Sequence, residues 1–342
     1  MMKQKLLLPT SYFLLRKSLL AFSGGVDSSA LFFLLLEHKI PFDIALVNYG
    51  TREESDAEEA HAKALAARYG LKCYTIQAPQ FTSDFEKHAR DFRYDFFEKL
   101  IAEHGYDILM TAHQLNDRME WFLMRLSKGA GVRELTGMEA MEEHGGYTLV
   151  RPLLAVPRSE LLAWLRENGY PFFVDESNAD PRHERNRFRA TYSDKLIEAY
   201  GEGIARSFTY LERDKALLDS LYETVLVHKA LRIVRLHHPQ ALVTAADTTL
   251  KELGYLLTAA QRQEISKQES LVIGGLWAVE VEGSHLCIAP YRTDTMPKPF
   301  KEQCRRLGIP AKIRPYLYTE EIDPTSIPTI TRALHSPKRE KR

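Results

Sequence analysis

A chain of 342 residues with 44% hydrophobic and 27% charged side chains is long enough for two or three domains, and its ordinary globular composition excludes disorder along most of its length. Its 46 basic residues balance 46 acidic ones, so any affinity for a polyanion must rest on local patches. Cys73, Cys287 and Cys304 lie far apart with no CxxC pair, against a disulfide framework, a zinc knuckle or an iron–sulfur cluster.

The early apolar runs at Leu6 to Pro9 and at Leu14 and Leu15 precede Arg16 and Lys17, the reverse of a signal peptide. No run reaches the roughly 18 apolar residues of a membrane span. A cytoplasmic protein with no membrane partner is expected.

In chain order, Ser18 to Ser23 reads as a buried strand feeding a tight turn, and Val26 to Glu37 as a helix apolar nearly all round. Phe42 to Val47 reads as a strand and Glu53 to Tyr69 as an alanine-rich helix. Leu71 to Ile76 is a third strand, followed by a helix from about Asp84 to Glu103. Tyr106 to Thr111 is a fourth strand and Leu115 to Leu126 the helix after it. Strands alternating with helices predict an α/β fold, a doubly wound and mostly parallel sheet, with ligands beyond the carboxyl ends of the strands.

After about residue 205 the pattern changes. Residues 203–252 read as helical, and LVIGGLWAVEVE and SHLCIAP read as β-rich pieces joined at Gly283 and Ser284. The expected division is 1–205 for the α/β domain, 206–265 for a helical linker or substrate-contacting domain, and 266–342 for a small α+β accessory domain ending in the basic tail PKREKR.

SGGVDSS, Ser23 to Ser29, sits between the first strand and its helix. Gly24 and Gly25 let successive amides point into one concavity, the helix N-terminus adds its dipole, and Ser23 and Ser28 offer hydroxyls: together a pyrophosphate cradle. GxGxxG and GK[ST] are both missing, which disfavours a dinucleotide fold and a Walker A loop. A carboxylate beside a triphosphate is repulsive without a bridging cation, so Asp27 implies Mg²⁺ between enzyme and ATP. The plainer alternative, a Gly-Gly turn with Ser and Asp as helix caps, does not account for the buried strand and helix on either side. The segment resembles the PP-loop of the N-type ATP pyrophosphatases, of the adenine nucleotide alpha hydrolase type. That resemblance implies attack of a substrate oxygen on the α-phosphate of ATP, with Ser23, Gly24, Gly25, Val26, Asp27 and Ser28 around the nucleotide.

AHQLNDRMEWFLMRLSKGAG begins where the fourth strand ends. On a helix His113, Asp117 and Glu120 can share one face, with Met119, Phe122, Leu123 and Leu126 opposite. Beside an ATP site, one acid can steady Mg²⁺ and another can orient or deprotonate an incoming amine. A solvated helix face is the competing reading. The stretch is similar to HHxDDQxETxLxRLxRGxG of the tRNA(Ile)-lysidine synthases, with His113, Asp117, Glu120 and Arg125 at matching positions. Gln114, Asn116, Arg118 and Trp121 depart from it, and Asn116 in place of an aspartate shifts the metal role onto Asp27 and Asp117.

VNYGTREESDAEE is similar to the family's VNHGLRxxSxxE, which implies that Asn48 and Arg52 lie near the nucleotide, as does His113 unless it only starts the helix. ARDFRYDFF carries Arg90, Arg93 and Tyr94 of the family's ARxxRY block, which implies substrate contacts from Arg90 and Arg93. RPLL, from Arg151, and DESNADPRHERNRFR continue the likeness to about residue 190. They imply substrate contacts from Asn178, Arg185, Asn186 and Arg189, with Asp175 and Ser177 beside them. Arg182 adds to the density of arginines in RHERNRFR, which fits an RNA backbone or ATP phosphates as well as a solvated turn.

The resemblance thus implies an ATP- and Mg²⁺-dependent ligase. It would adenylate C2 of the wobble cytidine in tRNA(Ile) with a CAU anticodon, then join free L-lysine through its ε-amine. The catalytic residues would be Asp27, Asp117 and Glu120, the last two left undivided between orienting the amine and other duties. Tandem thiols for tRNA thiolation and a glutaminase domain are both missing from the chain, and a homodimer is left open.

Overall fold

A computed structural model describes residues 10–50, 55–81, 83, 85–174 and 184–327. Arg52, Asp175, Ser177, Asn178, Arg182 and the basic tail lie outside the described residues. The chain divides into two compact units, Met1–Glu212 and Arg213–Arg342.

The first unit is built on a six-stranded sheet in the order β3-β2-β1-β4-β6-β5. Its strands are β1 (Ser18–Ala21), β2 (Asp43–Asn48), β3 (Cys73–Gln77), β4 (Ile108–Met110), β5 (Met141–His144) and β6 (Tyr147–Val150). All pair in parallel except β5, which runs antiparallel to β6 at the edge. Successive side chains of a strand face opposite sides of the sheet. Leu20, Ile44, Leu46, Ile108 and Met110 therefore enter one core with α1 (Val26–Glu37), α2 (Ser55–Tyr69) and α6 (Arg158–Glu167). Leu19, Ala45 and Leu109 enter the other, with Phe97, Leu100 and Ile101 of α3 (Phe85–His104).

Burial on both faces is why the strands read as continuous apolar runs. Order runs leftward from β1 through β2 to β3 and rightward from β1 to β4, so the crevice between β1 and β4 is a switch point where ligands are expected. The glycine loop leaves β1 and α4 (Leu115–Leu126) follows β4, both at that crevice.

Predicted elements and observed ones agree closely through α4. One detail of α4 is corrected: Met119, Phe122 and Leu123 pack in a satellite cluster with Ile197 and Phe208 of α8 (Asp194–Asp219), while Leu126 is 51% exposed. The short helices α5 (Val132–Leu135) and α7 (Glu184–Phe188) lie between α4 and α8, and a π-turn, Arg189–Ser193, joins α7 to α8.

In the second unit the expected helical domain over 206–265 is not formed as such. After α8, residues of that segment make β7 (Tyr222–His228) and β8 (Leu231–Leu236). These pair into one antiparallel sheet with β9 (Ser270–Ile273), β10 (Trp277–Glu282) and β11 (His285–Pro290), in the order β7-β8-β11-β10-β9. One face of that sheet packs on α9 (Leu242–Glu252) and α10 (Ala259–Ile265), the other on α11 (Lys298–Arg306) and α12 (Arg314–Thr319). A single sheet with two covered faces makes the proposed border at 265 untenable as a domain boundary. The three cysteines are free. Among the described residues no helix is long and apolar enough to cross a membrane.

Candidate active site

The glycine loop is shaped by Gly24, whose φ of 76° lies in the left-handed region. A Cβ there would also stand 3.3 Å from the Phe173 ring, while the Phe173 amide donates to the Gly24 carbonyl at 2.9 Å. Gly25 caps α1 with extended backbone and no side-chain cap, leaving the helix N-terminus open to a ligand. The Ser28 hydroxyl accepts from the Ser23 amide at 3.2 Å and donates to the Gly25 carbonyl at 3.2 Å, which curls the loop on itself.

The loop forms one wall of a cleft of about 270 Å³, lined also by Leu46, Val47, Asn48, Tyr49, Arg158 and Phe173. Asp27 faces this cleft. Its Oδ1 is buried without a hydrogen-bond partner among the described residues. Burial, reinforced by the charge of Asp117, pushes its carboxyl from the ordinary 3.8 up to about 6, against the pull of Arg158 and Arg189. An open, buried carboxylate oxygen in this cleft suits a cation.

Gln114 caps α4. Its side chain accepts from the Asn116 amide, while the Asp117 carboxylate accepts from the Gln114 amide at 3.1 Å, a reciprocal capping box. This spends Asp117 Oδ2, and Oδ1 accepts from Arg185 Nη2 at 3.0 Å and from Arg189 Nη2 at 2.7 Å. Glu120, one turn further on, accepts from Arg185 Nε through Oε1 and from Arg189 Nε at 2.9 Å through Oε2. Two acids one turn apart on α4 thus face two arginines one turn apart on α7 and the π-turn. Arg185 and Arg189, predicted as substrate contacts, are bonded to the two acids.

The clamp separates the two carboxylates. Burial works to raise Asp117, but Arg185, His113 and Arg189 outweigh it and hold its carboxyl below the usual range. For Glu120 burial prevails over the same arginines and the carboxyl sits above its usual range. Glu120 is the stronger base of the pair, and Asp117 stays ionised.

His113 precedes the cap rather than riding on α4. Its Nδ1 bonds the Thr111 hydroxyl at 2.9 Å, and burial pushes its pKa down to about 4 although Asp117 opposes this. It is a neutral imidazole at pH 7. Arg93, on α3, contributes a positive charge felt by both His113 and Tyr49. Arg90 lies over the Tyr94 ring at 5.2 Å. Asn186 lies on α7 between the clamp residues.

Asn48 borders the cleft, but its amide donates to Asp56 at 3.0 Å and Glu59 at 2.9 Å, and its carbonyl accepts from the Gly50 amide at 2.9 Å. It fixes the end of β2 to α2. Asn116 is likewise engaged: Nδ2 donates to Asp194 Oδ1 at 2.7 Å and Oδ1 accepts from the Arg158 amide at 3.1 Å. Asn116, from which the metal role was expected to shift, is a bracket between α4, α6 and α8. An aspartate there would set a buried carboxylate against the half-buried one of Asp194. Asn116→Asp is expected to lower stability by about 1–3 kcal/mol, read from urea midpoints, with Asp194→Asn restoring most of it; an unchanged midpoint would refute the bracket.

Reasoning from sequence missed Arg158, which joins the cleft from the start of α6. It also missed the pairing of Arg118 with Glu212 at 2.5 Å, which ties α8 to α4.

A parallel sheet with a glycine loop after its first central strand, an exposed helix N-terminus and an acid helix at the switch point define an ATP-using PP-loop domain. The family model for the PP-loop domain matches residues 2–196. A U34-tRNA thiolase from Methanococcus maripaludis shares the fold, with a TM-score of 0.50 and 18% identity over 61% of this chain and 77% of that one. Two relatives are much nearer. The tRNA(Ile)-lysidine synthase of Campylobacter jejuni subsp. jejuni is 43% identical over 91% of this chain and 95% of its own length. That of Helicobacter pylori is 42% identical over 94% of this chain and 95% of its own. The chain belongs to the tRNA(Ile)-lysidine synthase family.

Proposed function

We propose that this protein makes lysidine in tRNA(Ile) bearing a CAU anticodon, using ATP and free L-lysine, as a cytoplasmic ligase. The observation that carries the reading is the meeting of the glycine loop with the Asp117–Glu120 pair at one switch point, close enough for the charge of Asp117 to bear on Asp27. Family membership supplies the substrate.

ATP lies over Ser23 to Ser28 with its phosphates toward the α1 N-terminus. Asp27 is the residue that would hold Mg²⁺, through its open oxygen; the ion supplies charge neutralisation for the phosphates. Asp117, whose oxygens are taken by Gln114, Arg185 and Arg189, is the poorer ligand, so the metal pair expected from sequence reduces to Asp27. The wobble base leaves a single-stranded loop, which costs less than extrusion from a duplex.

Its C2 oxygen forms a bond to the α-phosphorus as the bond to pyrophosphate breaks, giving a C2–O–AMP linkage. The lysine ε-amine then bonds to C2 as the C2–O bond to AMP breaks. The amine must shed a proton, and in this reading Glu120, the stronger base of the pair, accepts it. Arg185, with a side chain 47% exposed against 18% for Arg189, is the guanidinium nearer solvent and the one able to yield room at Glu120.

Labelled lysine offered to an unmodified CAU-anticodon transcript with ATP and Mg²⁺ should be incorporated by the intact protein and not by Asp27→Ala. Pyrophosphate exchange without lysine transfer would keep the adenylating site and reject lysidine.

A further inference from the structure

We infer that Arg158 is a polyphosphate ligand of the nucleotide cleft, released from Asp27 when ATP binds; the inference rests on the nucleotide-binding part of the reading above. Arg158 is the first residue of α6 and enters the cleft opposite the glycine loop. Among the described residues lining that cleft it is the one cation, set among Ser23, Gly25, Asp27, Ser28 and Glu58. A triphosphate cannot settle beside Asp27 without compensating charge, and Arg158 brings that charge within the protein itself.

The contact Arg158 makes is incomplete. Its Nε stands 3.6 Å from Asp27 Oδ1, beyond hydrogen-bond reach, and both atoms are buried with no hydrogen-bond partner among the described residues. Arg185 and Arg189, by contrast, each bond both acids. A guanidinium carries five donors in a planar fork suited to phosphate oxygens, so a donor left idle beside an anion cradle is a position that a phosphate completes.

The backbone of Arg158 is held while its side chain is not. Its amide donates to Asn116 Oδ1 at 3.1 Å, and Asn116 is in turn fixed to Asp194. The root of the side chain is therefore placed relative to both the acid helix and the cleft, and 39% exposure leaves the guanidinium free to swing from Asp27 to a phosphate. A residue with that role senses phosphates and ignores the nucleoside.

The test compares the full-length protein with Arg158→Gln and Arg158→Lys, titrating ATP, AMP and adenosine by calorimetry, after melting curves without ligand establish that each variant is folded. Arg158→Gln should weaken ATP at least about tenfold, the loss of one charged contact, while leaving adenosine within about twofold, and Arg158→Lys should recover part of the ATP loss. Equal weakening of ATP and adenosine, or unchanged ATP affinity, would overturn the assignment; if Arg158→Gln does not fold, the same comparison is read from Arg158→Lys. Neither lysine nor tRNA enters these titrations, so a failure of lysine transfer by the wild type would reject lysidine synthesis without touching the result.

Discussion

Asp27→Asn is expected to stabilise the ligand-free protein at pH 7 while abolishing turnover. Carrying a carboxyl from its ordinary 3.8 to about 6 corresponds to at most about 3 kcal/mol at roughly 1.4 kcal/mol per decade, all of it unfavourable to the folded state at neutral pH. An amide of the same shape removes that penalty. Between pH 3.8 and about 6 the native state holds a proton that the unfolded chain has lost, so stability falls as pH rises through this window. The gain from the substitution should therefore be largest at pH 7 and above, and roughly halved by pH 5. Buried neutral His113 pulls the wild type the other way, since acid must charge it in the unfolded chain first. Taking the difference between variant and wild type at each pH cancels that contribution. Turnover should drop at least about 100-fold, because the amide keeps an oxygen but loses the negative charge that would hold the cation. A variant no more stable than wild type at pH 7 would mean that Asp27 is not strained by burial.

That strain is of the kind expected where a site is built to take a ligand, and it bears on what the sequence could disclose. The strands β1 to β4 were legible because burial on both faces writes them as apolar runs, and α1 because it is buried nearly all round. β5 was not, since an edge strand reading Glu142, Glu143, His144 carries no such run. β8 carries no clean period of two: Leu231 and Ile233 enter one core and Val234 the other, with Arg232 and Arg235 breaking the run.

In the site, the glycine loop and the acid helix could be read because each is contiguous. The spacing of Arg185 and Arg189, one turn apart like Asp117 and Glu120, was a usable hint of the clamp. Their partners on α4 lay more than sixty residues away. Arg158 had no local signature at all. It reaches Asp27 only because β6 returns beside β4 and α6 starts at the same end of the sheet. Asn116 differs again: the substitution was visible, and its consequence was not, since Asp194 and the Arg158 amide meet it only in the folded chain.

The second large effect is expected from Arg189→Ala. Asp117 and Glu120 are nearly inaccessible to water, so two negative charges there depend on two guanidinia. Removing the more buried guanidinium leaves Arg185 to serve both acids, and breaking a buried pair in this way costs about 3 kcal/mol or more. The deficit should depend on pH in a definite sense. Glu120, already raised by burial, rises further without Arg189, so the native state of the variant takes up a proton at higher pH than the unfolded chain does. The deficit relative to wild type is then fully present above that raised value and shrinks as pH falls through it. Adding Glu120→Gln to Arg189→Ala removes the orphaned charge, and the double variant should be more stable than the sum of the single changes by about 1–2 kcal/mol. Urea unfolding of the four proteins at pH 6 and pH 8 measures both quantities. Additive changes would show that Arg189 contributes packing and no charge compensation, in which case the raised carboxyl of Glu120 would have to be ascribed to burial alone.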